Sequence, residues 1–142
     1  MDDEVGELGP IDFAIFEFPG SRFNGAVAPN ILELVERGLI TILDLVFIQK
    51  ADDGTVVGVE LTDMDADEAG GLTVFAGHLN DVLAEEDIEA AGDVLEPGSS
   101  ALVAVWENTW AAPLATAIYE SGGVLASSGR IPAQDLLSAL EA

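Results

Sequence analysis

The chain has 142 residues, of which 27 are acidic and four basic, giving a formal charge of −23, and it has no cysteine. Its length and its 49% apolar share suit one domain, 1–142, whose core needs neither disulfide nor metal. The charge repels phosphate backbones and anionic headgroups, which excludes nucleic acid and leaves a basic protein as the macromolecule it could attract; the missing cysteine removes thiol nucleophiles and thiolate metal sites.

Because the acids are spread along the whole chain and form no tail, they read as a solvating shell, with an acidic face for a basic partner as the competing reading. Met1-Asp2-Asp3-Glu4 is acidic where a secretory signal begins basic. Leu39 to Ile48, broken by Thr41 and Asp44, is about half the length of a membrane span. A cytoplasmic protein without a spanning segment is expected.

Ile11 to Phe18 is aromatic and β-branched and closes on Pro19-Gly20, which predicts a first strand. Ile31, Leu32, Leu34 and Val35 recur at helical spacing between Pro29 and Gly38, so a helix is expected over about Ala28 to Arg37. Leu39 to Lys50 and Thr55 to Leu61 read as a hairpin around Asp52-Asp53-Gly54. Leu72, Phe75, Ala76, Leu79, Val82 and Leu83 share one stripe, predicting a helix from about Gly71 to Leu83, and Glu85-Glu86-Asp87 starts a short helix to Ala91. Ala101 to Trp106 is a buried-type strand, Trp110 to Ser121 a helix, Val124 to Arg130 a strand, and Pro132 to Leu140 a last helix.

An internal repeat organises these elements. Aligning Ala28-Pro29 with Ala112-Pro113 brings Glu36 onto Glu120, Gly38 onto Gly122 and Ile40 onto Val124 at one offset. Each half then reads as a βαβ unit, and two such units interleave as a ferredoxin-like α+β fold. The expectation is a five-stranded antiparallel sheet in the order fifth, first, fourth, second, third, with both repeat helices on one face and the middle and C-terminal helices as additions. Both faces of the strands are apolar: Ile40, Ile42, Val46 and Ile48 alternate with Leu43, Leu45 and Phe47 along the second strand. A homodimer or larger assembly through the sheet face or its edge is therefore expected.

Ile11 to Phe18 with Pro19-Gly20, Leu39 to Phe47, and Leu95-Glu96-Pro97-Gly98-Ser99-Ser100-Ala101-Leu102 resemble the bacterial domain of unknown function 6325 family over most of the chain. The chain is also similar to the domain of unknown function 1269 family, although its middle segment is shorter and more polar. The resemblance implies an actinobacterial source and carries over no functional residue.

Candidate chemistry is sparse. His78 is the single histidine, so no paired-imidazole metal site exists. Asp63, Asp65 and Asp67 are spaced like a calcium loop, but Glu68 stands where that loop needs glycine and Val74 where it needs its bidentate Glu, so no metal is expected. Glu17 and Glu107 are repeat-matched acids beside aromatics; either burial raises their pKa at a ligand site, or they close their strands by accepting backbone amides. In the loop Pro19 to Gly25, Arg22 and Asn24 stand ahead of a helix N-terminus as candidate ligand contacts, with neutralisation of a nearby carboxylate as the other role for Arg22. Trp106 and Trp110 could flank a pocket or serve as packing.

No cofactor is expected. The leading functional expectation is a non-enzymatic, self-associating binding or regulatory module. The alternatives are a small-molecule enzyme of the ferredoxin-like kind using Glu or Arg, and a solvating stress-related protein without a ligand.

Overall fold

The structure, a computed structural model, describes residues 8–21, 26–59, 75 and 82–141. Strands β1 (Ile11–Phe18), β2 (Thr41–Lys50), β3 (Val56–Val59) and β4 (Ser100–Glu107) form one antiparallel sheet in the order β1-β4-β2-β3. Helix α1 (Val27–Glu36) joins β1 to β2, α2 (Glu85–Asp93) precedes β4, and α3 (Ala112–Glu120) and α4 (Ala133–Glu141) follow it. Since β4 is antiparallel to both neighbours, β1 and β2 run in the same direction with β4 in the gap between them, as a split βαβ unit requires.

Alternation along the strands builds two cores. On the first face Leu45, Phe47, Leu102 and Ala104 meet Ala28 of α1 and Phe75. On the second face Val46, Ile48, Ala101 and Val103 meet Ala91 and Leu95 at the end of α2. Strict alternation would put Ile42 with Val46 and Ile48. A bulge between Ile42 and Asp44 inserts one residue, so Ile42 pairs with Trp106 and joins Leu45 and Phe47 instead.

Local chemistry explains where the helices start and stop. Pro29 and Pro113 both lie in first turns, where the missing amide would have no intrahelical acceptor. The two helices also end alike. Gly38 (φ 72°) donates to Val35 O and Leu39 to Leu34 O, while Gly122 (φ 86°) donates to Tyr119 O and Gly123 to Ile118 O, the same pair of closing bonds at the repeat offset. For α2, Asp87 accepts the Ala84 amide at 2.8 Å, and Lys50 Nζ donates to the carbonyls of Gly92 and Leu95 at its C-terminal end. In the hairpin, the Thr55 amide bond to Asp53 Oδ1 (2.9 Å) holds that carboxyl below its ordinary pKa.

Gly92 marks a close approach of α2 to β3: a Cβ there would lie 2.5 Å from Val56 Cγ2. Gly92→Ala is expected to cost about 1–3 kcal/mol, because either the helix or the edge strand must shift to relieve the overlap. Urea unfolding measures this, and a neutral result would mean that the α2–β3 contact is slack.

The structure corrects further sequence-based expectations besides the face of Ile42. Val124 to Arg130 forms no strand, so the sheet has four strands among the described residues where five were expected. Ser127-Ser128-Gly129 offers little to pack on a pleated surface, and α3, which should return the chain to the sheet, buries no residue. The two repeat helices consequently do not share a face: α1 packs on the first face and α3 packs on neither. The helix expected from Trp110 begins as a 3-10 turn, Thr109–Ala111. The helix expected over Gly71 to Leu83 falls mostly outside the described residues, and 82–84 are not helical.

Candidate functional site

Helix α1 does not fill the first face of the sheet. A cavity of about 640 Å³ lies between them. Its floor comes from alternate residues of three strands: Phe16 and Phe18 of β1, Leu102, Ala104 and Trp106 of β4, and Ile42 and Leu45 of β2. Its roof is the inner stripe of α1, Val27, Ile31 and Leu34, at the spacing that places side chains over one another on a helix. The bulge matters here, because without it Ile42 would point to the other face. Among the described lining residues the polar side chain is Asn30, whose amide donates to Ala26 O at 2.7 Å.

A wall of this composition can hold an apolar, uncharged molecule and orient it against aromatic faces. It brings no acid, base or hydroxyl side chain to a reacting atom among the described lining residues. Nor do the described residues contain a group of three or more acids or histidines able to hold a metal ion.

Of the residues singled out from the sequence, the structure brings Trp106 to this cavity. Trp110 lies on the 3-10 turn after β4, 62% exposed, with its backbone amide bonded to Leu39 O. Glu17 Oε2 accepts the Glu96 amide and Glu107 Oε2 accepts the Gly9 amide, each at 2.8 Å. Each carboxylate thereby ties a strand end to a neighbouring loop. Glu107 stands six residue steps along β4 from Ala101, the partner of Glu17 in register, so the two acids lie roughly 20 Å apart. Arg22, Asn24, His78 and the Asp63-Asp65-Asp67 run lie outside the described residues.

Asp44 is a functional group the sequence reading passed over. It is 2% exposed, at the bulge, and its two carboxylate oxygens accept the amides of Leu45 (2.9 Å) and Leu83 (2.8 Å). The signal was present, since an acid inside the apolar run Leu39 to Ile48 needs partners if it is buried. No helix among the described residues is long and apolar enough to cross a membrane.

A family model, described as a family of unknown function (DUF6325), matches residues 7–142. No curated protein and no solved structure matches the chain.

Proposed function

The chain belongs to the DUF6325 family, and we propose that it is a non-enzymatic binding module that takes an uncharged, largely apolar small molecule in the cavity beneath α1. The observation that carries this reading is the cavity itself. It is of ligand size, walled by Phe16, Phe18 and Trp106, and without an acid, base or nucleophile among its described lining residues. A site for catalysis would need such a group within reach of the substrate, and the acids Glu17 and Glu107 are already engaged with backbone amides elsewhere.

Titration with Nile red, a neutral apolar dye, tests the proposal. The expected result is saturable binding of one dye per chain that quenches Trp106 and is weakened roughly tenfold or more by Leu34→Trp, which fills the roof. Trp110→Phe, outside the cavity, should leave the affinity unchanged. Binding that never saturates, or that ignores Leu34→Trp, would remove the cavity from the argument.

A further inference from the structure

Beyond the cavity, residues 112–141 stand out among the described residues for how little they bury. Neither α3 nor α4 buries a residue, and the segment between them exposes Val124 (81%), Leu125 (80%) and Ile131 (76%). Helix α4 repeats apolar residues at Leu136, Leu137 and Leu140, the pattern of a helix with one face meant for burial. The sheet has a complementary deficit. β1 is an edge strand, and on the second face, beyond the reach of α2, its Phe13 is 72% exposed.

We infer that residues 112–141 are an exchanged arm: the irregular segment around Val124-Leu125 lies along the open edge of β1 of a second copy, and α4 covers that copy's Phe13. Three observations select a second copy as the occupant. First, the start and end of α3 are built. Trp110 N–H bonds Leu39 O, the Thr41 and Thr109 hydroxyls lie 2.7 Å apart, and the Gly122-Gly123 cap repeats the one that launches β2 from α1. The arm therefore starts from a fixed point after β4, and among the described residues its two helices hold no buried residue. Second, residues 112–141 carry three acids, Glu120, Asp135 and Glu141, and one base, Arg130, in a chain of charge −23, so the arm is the sparsely charged part of an acidic chain. A basic partner would seek the acidic surface, whereas a sparsely charged stretch is where two like-charged chains can meet. Third, an edge strand and an exposed apolar segment outside helix and strand on the same chain make the contact reciprocal, each copy giving one arm and receiving one, which closes a twofold dimer.

The arm docks on the edge and the second face of the sheet, so it leaves the cavity beneath α1 to its ligand, and either reading can fail without the other. The absence of native cysteine permits a direct test. Full-length Phe13→Cys and Leu125→Cys chains are mixed in equal amounts and treated with a short bismaleimide. The mixture should give a cross-linked species of doubled mass several times more abundantly than either variant alone. In parallel, light scattering should report a dimer at micromolar concentration, and Leu125→Asp should raise its dissociation constant roughly a hundredfold or more. Since Leu125 is exposed within one chain, circular dichroism should show this variant folded. A monomer at all concentrations overturns the inference. So does a dimer indifferent to Leu125→Asp, or a link that forms only within a single chain carrying both cysteines.

Discussion

Asp44→Ala is expected to lower the unfolding free energy by about 2–4 kcal/mol, a large part of the stability of a domain this size. The carboxylate is buried at the β2 bulge and accepts two backbone amides, one from Leu45 beside it and one from Leu83 across the second face. Truncation leaves the buried Leu45 donor and the part-buried Leu83 donor without their acceptor, and a buried orphaned donor costs about 1–3 kcal/mol, a part-buried one less. Removing one acid from a chain of charge −23 also relieves repulsion, but that gain is delocalised and screened and does not offset two lost short bonds. Asp44→Asn separates the two effects. It removes the same charge and keeps one carbonyl acceptor, while its NH2 confronts the other amide, so about half the loss is expected. Urea unfolding gives the energies, and hydrogen exchange at the Leu83 amide should accelerate in step. A loss below about 1 kcal/mol for Asp44→Ala would mean that the bulge is held by its apolar neighbours.

The same residue shows what was legible in the sequence and what was not. Alternation and turn residues located β1, β2, β3 and β4, and the Ala-Pro repeat gave the order in which they pair, because these signals are local and periodic. A bulge is one residue long and leaves no periodic trace. Asp44 inside an apolar run was its visible sign, and overlooking it put Ile42 on the wrong face and hid one wall of the cavity. The cavity itself was illegible, since the alternation that places Phe16, Phe18 and Trp106 on one face says nothing of how closely α1 settles over them. The repeat held through the cap at Gly122-Gly123 and failed one element later. A helix cap is written in three or four residues, whereas a strand at Val124 to Arg130 depends on a tertiary partner, and among the described residues no strand pairs with it.

Raising sodium chloride from about 10 mM to 1 M should raise the melting temperature by roughly 10 °C, equivalent to about 2–3 kcal/mol for a chain this long. Folding gathers a charge of −23 into one compact body, and the basic residues do little to offset it locally. Arg37 makes an exposed contact with Glu33 at 3.9 Å, and Lys50 points at helix carbonyls. Screening shortens from about 30 Å at the low-salt end to about 3 Å at the high end, so repulsion between surface acids is close to fully expressed at the start and nearly gone at the finish. Running the titration at two protein concentrations adds a second reading. If the arm is exchanged, assembly brings two such charges together, and low salt should separate the copies before it unfolds them. The melting temperature should then depend on protein concentration at high salt and lose that dependence at low salt. A flat salt curve would show that repulsion is a minor term in this fold, and the sparse charge of residues 112–141 would lose its electrostatic reason.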